Sequence, residues 1–452
     1  MLNYKKVLHN NVFYTLGRRL IVDFWFNSVF FRKVEVLGRE NIPHDKPVLI
    51  APIHRNAFID DAAVLCTRKD NPVFLARADI FEKKWLAKIF IFFRMVPVFR
   101  IRDGKHKLAN NEMTFDVGAH VLENDNILIV FPEAAHTEFN RMLPLKKGAI
   151  RIAFLAAQRT NFTKDIFIVP TGLYYDNIFH YRHKILVQYG KPINILDYKD
   201  AYLDNPQKAM LKVREDLNRE LIKLSIHIAR EGDDYESINA ARDIFRDYVA
   251  SALGKDLKSF KQAFDTDKKI VEVLEKASEE DPDKFQEFKD TLQNYLNELE
   301  RNNLRDYVFD RPWPWWKLIA ASFLSVIFLP VYLLLWINFF IPACLPEIIV
   351  KKFKDKIFHA SVRFIGSLLL VLIWAILGGV LLGILVKWWI GILFFLAQPF
   401  LFILWLDWRR LWKKVRGNWH FHLGKFNKIR ELRDKLFVIF SDFFSNFVAQ
   451  KS

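Results

Sequence analysis

Three stretches of this chain contain no charged residue: Leu318 to Leu345, Phe364 to Val386 and Trp388 to Leu406. The last two are each close to the roughly 20 residues an α-helix needs to cross a bilayer, and this constrains the fold more than any other feature. Three such runs in one region make a soluble core a weak alternative. Only Lys387 separates the last two, so they are expected to form a helical hairpin with a very tight turn. The first run is interrupted by Pro330 and Pro342. A single crossing there would place Lys351, Lys352, Lys354, Lys356 and Arg363 on the outer side, against the preference of basic loops for the cytoplasmic face. A re-entrant loop turning back near Pro330, each half too short to span, would instead keep that linker cytoplasmic. The basic tail at Arg409, Arg410, Lys413, Lys414 and Arg416 would stay on the same side, with Trp313, Trp315, Trp316, Trp388 and Trp389 at the interfaces.

Upstream the pattern changes. Between residues 34 and 195, β-branched runs alternate with helical stretches, which predicts an α/β domain. Strands are expected at Val34–Leu37, Val48–Ala51, Val73–Leu75, Val96–Val98, Ile127–Phe131, Ile166–Pro170 and Ile185–Val187, with helices at Leu108–Leu122 and Gly148–Ala157. Residues 205 to 305 carry charge at helical spacing. Long amphipathic helices are expected at Lys208–Ile228 and Lys269–Leu299, broken at Asp281-Pro282. Residues 12 to 31 mix aromatic side chains with Arg18, Arg19 and Asp23, which suits either a helix lying on a membrane surface or one packed on the α/β domain. The resulting division is an N-terminal helix at 1–32, an α/β domain at 33–200, a charged helical region at 201–310, membrane segments at 311–408 and a basic amphipathic tail at 409–452.

The 67 Lys and Arg against 51 Asp and Glu leave a formal charge of +16, which favours acidic partners. Anionic lipid headgroups, a phosphorylated acceptor, coenzyme A and an acidic carrier protein all fit. Nucleic acid is not expected as a partner, because the chain has no zinc-finger spacing, no aromatic nucleic-acid-binding motif and no Gly-rich phosphate loop. With only Cys66 and Cys344, no disulfide framework is expected. The N-terminus lacks the apolar core and small-residue site of a cleaved signal peptide, so the soluble part is expected in the cytoplasm.

One segment carries chemistry. His54-Arg55-Asn56-Ala57-Phe58-Ile59-Asp60-Asp61 follows a strand-like Val48–Pro52. A neutral imidazole is the natural base for taking a proton from an alcohol, and a carboxylate on its other nitrogen would orient it and raise its basicity. Asp60 is the first choice for that carboxylate and Asp61 the alternative. Residues six apart do not share a helix face, so the chain must turn between His54 and Asp60.

Four blocks in order resemble the glycerolipid acyltransferase family, which includes the glycerol-3-phosphate and lysophosphatidic acid acyltransferases. They are the His54 segment, Met95-Val96-Pro97-Val98-Phe99-Arg100, Ile129-Val130-Phe131-Pro132-Glu133 and Ile168-Val169-Pro170-Thr171-Gly172, and the resemblance covers roughly residues 33 to 195. Two departures stand out. Five residues separate His54 from Asp60 where most members have four, and the F-P-E-G glycine is Ala134, followed by Ala135-His136 in place of a Thr-Arg pair.

The resemblance implies an α/β acyltransferase domain with a mixed sheet flanked by helices, followed here by the helical region and C-terminal transmembrane helices. It also implies transfer of a fatty acyl group from acyl-CoA or an acylated acyl carrier protein to a hydroxyl of lysophosphatidate or glycerol-3-phosphate. The thioester is a co-substrate, and neither a bound cofactor nor a metal is expected. His54 would be the general base, Arg100 the phosphate-binding arginine and Glu133 an acceptor contact or a holder of Arg100, with a purely structural role in a turn as the alternative. Arg102, Lys146 and Lys147 are secondary phosphate candidates, and Thr171 and Gly172 would shape the pocket. The chain contains no G-x-S-x-G elbow and neither Cys adjoins a histidine, so direct transfer is expected. The location expected is the cell inner (plasma) membrane, integral, with the catalytic domain cytoplasmic and membrane lipids as partners. The alternatives are action on another lysophospholipid, a metal-dependent hydrolase using His54, Asp60, Asp61, Glu133 and His136, and a non-catalytic membrane scaffold.

Overall fold

The seven expected strands all form, and they build one mixed sheet. A computed structural model describes Leu8, residues 11–98 and residues 110–450. The chain divides into two units, one of Met1–Ser225 with Leu345–Leu369, the other of Ile226–Cys344 with Leu370–Ser452.

The first unit holds the sheet. Its strands are β1 (Phe31–Leu37), β2 (Val48–Pro52), β3 (Val73–Arg77), β4 (Met95–Val98), β5 (Ile127–Ile129), β6 (Phe167–Tyr175), β7 (His183–Tyr189) and the short β8 (Ile193–Asn194). The order is β1-β7-β6-β2-β5-β3-β4, with β8 on β6. All pairings are parallel except β6 with β7 and β6 with β8. Strand β2 is apolar at every position and buried throughout, as a central parallel strand covered on both faces must be. Its neighbours are β5 and β6. Strand β6 runs five residues past the expected end, because Thr171 to Tyr175 pair with Tyr189 to Ile185 of β7.

Helices α1 (Val12–Gly17), α2 (Ala57–Cys66), α3 (Lys84–Phe92), α4 (Asn110–Glu123), α5 (Gly148–Arg159), α6 (Lys199–Asp204) and α7 (Pro206–Lys223) complete the unit together with the segment 345–369. After α1 the chain continues as two wide π-type turns, Arg18–Asp23 and Trp25–Phe30. The expected packing on the α/β domain is seen for part of this N-terminal segment. Its second half packs on the sheet, burying Trp25, Phe26, Val29 and Phe30, while its first half exposes Val12, Phe13, Leu16 and Leu20. Buried Arg18 donates to the carbonyls of Arg68 and Asp70, satisfying acceptors just beyond the end of α2. Phe364, from the segment 345–369, lies edge-on to Phe26 and Phe30 with ring centroids 5.9 and 5.3 Å away. Burying one such ring contributes about 2 kcal/mol. These packings cut across the divisions drawn from composition: the N-terminal segment, α7 and part of the apolar region all belong with the sheet.

In the second unit, α8 (Gly232–Ala252), α9 (Phe260–Glu280), α10 (Pro282–Arg301) and a later helix, Asn427–Ala449, pack through an aromatic core. The expected break falls at Asp281, whose side chain accepts from the Lys284 amide while Pro282 starts the next helix. Short α11 (Tyr307–Asp310) and α12 (Trp315–Ile327) follow. The basic tail is not loose. Residues from Arg409 continue the long helix α15 (Trp388–Leu423), and Phe440 of α16 (Asn427–Ala449) stacks on Phe245 at 3.9 Å.

Helices α13 (Leu329–Val350), α14 (Phe358–Leu385) and α15 are long and apolar enough to cross a membrane. The expectation that each half of the first run is too short to span is corrected for α13, which has 22 residues. Pro330 lies in its first turn, where a missing N–H costs nothing, so it starts the helix just after the break at Phe328 that ends α12. The tight hairpin is present, with α14 ending at Leu385 and α15 starting at Trp388. Gly391 permits it, since a Cβ there would lie 2.1 Å from the Gly379 carbonyl oxygen.

Gly172 is required by the same kind of contact, because a Cβ on it would lie 2.1 Å from the Leu224 carbonyl oxygen behind β6. Gly172→Ala is expected to destabilise the first unit by about 3 kcal/mol through overpacking against backbone, read as a lower midpoint in thermal unfolding.

Candidate active site

Parallel strands place their C-terminal ends on one edge of a sheet, and loops at that edge are where open α/β sheets build sites. Here the ends of β2, β5 and β6 bring together His54, the Phe131–Glu133 loop and Tyr175. Past Pro52, the Ile53 amide donates to the Thr171 carbonyl at 3.1 Å, so β6 fixes the chain just before His54. The turn required between His54 and Asp60 is made by Arg55 and Asn56 and by Ala57, which sits at φ 38° in the left-handed region. Asp60 then lies in the first turn of α2, pointing back.

Asp60 is fully buried and its carboxylate receives four hydrogen-bonding groups. Oδ2 accepts from the Arg55 and Asn56 amides, both at 2.6 Å, and lies 3.0 Å from His54 Nδ1. Oδ1 accepts from the Tyr175 hydroxyl at 2.5 Å. The same carboxylate therefore caps α2 and orients the imidazole. With Nδ1 engaged, His54 presents Nε2 to a substrate from a side chain that is 15% exposed. The ring stacks on Phe131, with centroids 4.1 Å apart.

Burial opposes protonation of His54, but the hydrogen bond and charge of Asp60, with the charges of Asp61 and Glu133, outweigh it and raise the pKa above the usual 6.5. Asp61 is half-buried. Burial pushes its carboxyl up to about 7 against the opposing influence of His54, with the Asp60 charge adding to the rise. The geometry thus makes Asp60, not Asp61, the hydrogen-bonding partner of His54. Burial also raises the Tyr175 pKa far above its usual value, aided by the Asp60 charge, which keeps the phenol a donor.

Glu133 performs a structural task. It is buried, with Oε1 accepting from the His54 amide at 3.2 Å and Oε2 from the Leu143 amide at 3.0 Å. It ties the His54 backbone to the loop after β5, and the Thr137 amide adds a bond to the His54 carbonyl at 3.3 Å. Ala134, standing where the family pattern has glycine, has φ 56°. That is the left-handed region glycine enters freely and alanine enters at about 1–2 kcal/mol.

The other expected site residues lie in supporting positions. Thr171 is buried in β6 with its hydroxyl donating to the Val169 carbonyl at 3.3 Å, and Gly172 packs against Leu224. Lys147 is exposed at the start of α5, where its Nζ donates to Gln207 at 3.3 Å. Arg100 and Arg102 lie outside the described residues. Sequence reasoning missed Tyr175. It carries no local signal, because its value depends on β6 lying next to β2. Among the described residues no group of three His, Cys, Asp or Glu side chains could hold a metal ion. N–H and O–H donors engage the oxygens of Asp60 and Glu133.

A buried carboxylate orienting a histidine at a sheet edge is an arrangement suited to general-base chemistry. Residues 33–174 match the family model described as Acyltransferase. Over 145 residues the chain is 28% identical to glycerol-3-phosphate O-acyltransferase 2 of Saccharomyces cerevisiae, covering 31% of this chain and 19% of that protein. Over 128 residues it is 28% identical to glycerol-3-phosphate O-acyltransferase 1 of the same yeast, covering 28% of this chain and 17% of that protein. The chain therefore spans under a fifth of the length of these relatives. A solved structure, the 1-acyl-sn-glycerophosphate (LPA) acyltransferase PlsC from Thermotoga maritima, is similar at a TM-score of 0.34 and 16% identity, over 51% of this chain and 88% of that one. Over residues 33–174, then, the chain is similar to acyltransferases, among them two yeast glycerol-3-phosphate O-acyltransferases.

Tyr175→Phe removes one of the four hydrogen bonds on Asp60 while keeping the ring. With a bond to a charged group worth about 1.5–3 kcal/mol, transfer by this variant is expected to slow by roughly tenfold or more in kcat, with the unfolding midpoint lowered by several degrees as the buried carboxylate loses a donor.

Proposed function

We propose that this chain is a membrane-bound O-acyltransferase that moves a fatty acyl group from acyl-CoA or an acylated carrier protein to a hydroxyl of lysophosphatidate or glycerol-3-phosphate. The observation that carries the reading is the His54–Asp60 pair at 3.0 Å, with Nε2 left to face a substrate. In this mechanism Nε2 takes the proton of the acceptor hydroxyl as its oxygen attacks the thioester carbonyl. A C–O bond forms, and the tetrahedral intermediate collapses with breakage of the C–S bond. The departing sulfur takes the proton from the imidazolium, so the base returns to its starting state without a covalent acyl-enzyme. Asp60 stabilises the transient imidazolium. The fit to the glycerolipid acyltransferases supports a phosphate-bearing acceptor, with Arg100 as its anchor.

The membrane assignment rests on α13, α14 and α15, which are each long enough and apolar enough to span. In this reading the α14–α15 hairpin crosses and returns, so the Lys351 to Lys356 linker and the Arg409 to Arg416 basic run both lie on the cytoplasmic face of the inner membrane with the catalytic unit. The structured base and its buried partner favour an enzyme over a non-catalytic scaffold.

The full-length protein is assayed with an acyl thioester and each acceptor. His54→Ala is expected to lower transfer by about 10²–10⁴-fold, and transfer at the wild-type rate would exclude His54 as the base. Because the base must be neutral and its pKa is raised, kcat/KM is expected to fall with decreasing pH along a limb centred above 6.5. Asp60→Asn removes the strongest influence raising that pKa, so its limb moves to lower pH. Asp61→Asn moves it less.

A further inference from the structure

Residues 345–369 comprise the end of α13, the linker from Lys351 to Ile357 and the first turns of α14, and they belong to the unit that holds the sheet. They touch the catalytic centre at three places. On the loop after β5, His136 Nε2 lies 3.5 Å from Asp355 Oδ2, and its ring meets Phe358 edge-on at 5.3 Å. On the turn between His54 and Asp60, Phe58 lies against Phe364 with centroids 6.3 Å apart. Between β6 and β7, Arg363 donates to the Phe179 carbonyl at 2.8 Å while Tyr181 donates to the Arg363 carbonyl at 2.9 Å. That last loop also holds the catalytic turn, since Asn56 Nδ2 donates to the Ile178 carbonyl at 2.6 Å.

We propose that this linker is a positioning element of the active site and that Asp355 is a positioning residue for His54, acting through His136. His136 stands edge-on to the His54 ring with centroids 5.5 Å apart. The next residue, Thr137, donates its amide to the His54 carbonyl. A shift of the His136 loop therefore moves both one wall of the imidazole pocket and the backbone that carries the base. Displacements of about 1 Å at a reacting group can cost about 100-fold in rate. Asp355 has a side chain 48% exposed, so its ion pair adds little to folding stability and its effect is on geometry. Arg363 makes the rest of the linker stiff: its Nε and Nη2 donate to the two Glu347 oxygens, both at 2.8 Å, clamping the end of α13 to the start of α14.

The proposal rests on His54 being the base. Its test is a double-mutant cycle on the full-length protein in lipid–detergent micelles, with kcat and KM measured for the wild type, Asp355→Ala, Asp355→Glu, His136→Gln and the Asp355→Ala/His136→Gln pair. Asp355→Ala is expected to lower kcat about tenfold while leaving KM for both substrates within about twofold, with Asp355→Glu restoring most of the loss. The pair is expected to be no slower than His136→Gln alone, since both changes break one contact. Wild-type kcat in Asp355→Ala, or losses that multiply in the pair, overturns the proposal. His54→Ala in the same assay separates the two readings: transfer that survives it removes the base, whereas an inactive His54→Ala beside a fully active Asp355→Ala removes only the role of the linker.

Discussion

The buried carboxylate of Asp60 is the interaction on which the catalytic edge depends. An ionised group with no solvent exposure is tolerable only when donors replace its hydration, and Asp60 draws them from three places: the Arg55 and Asn56 amides, the Tyr175 hydroxyl and the His54 ring. Those donors lie on the catalytic turn and on β6. Satisfying the charge therefore fixes the turn, the start of α2 and the end of β6 relative to one another. Orientation of the imidazole follows from that same satisfaction. Glu133 repeats the logic on the other side, where its two oxygens join the His54 amide to the Leu143 amide.

The sheet explains why such distant segments can do this. Strands β2, β5 and β6 run parallel, so their C-terminal ends emerge side by side although 41 residues of chain lie between Glu133 and Tyr175. The irregular spacing between His54 and Asp60 has a local cause. Arg55, Asn56 and left-handed Ala57, the first residue of α2, take up the extra length, and the carboxylate still reaches back to the start of the helix.

Much of this was legible because it is periodic or local. Strand β2 reads as an uninterrupted apolar run, the Asp281-Pro282 break is a capping residue followed by a helix-starting proline, and the Lys387 hairpin is bounded by two uncharged runs. The length of α13 was less legible, because Pro330 and Pro342 read as breaks, whereas a first-turn proline initiates a helix. Glu133 was found by its motif, but its use as a backbone clamp depends on the amides of His54 and Leu143, whose positions are set by other strands. Tyr175 and the 345–369 segment had no local signal at all. Their importance comes from partners more than a hundred residues away.

By itself the sequence determined the α/β alternation, the apolar runs and the candidate base with two possible carboxylates, since each depends on side-chain type at short spacing. Only the tertiary structure decided between Asp60 and Asp61, because that choice turns on which carboxylate faces the ring and the amides of the turn. It also decided that part of the apolar region packs beside the His54 loop. Long-range pairing is set by sheet order and by the burial of Phe364 among Phe26 and Phe30, and neither leaves a period in the chain.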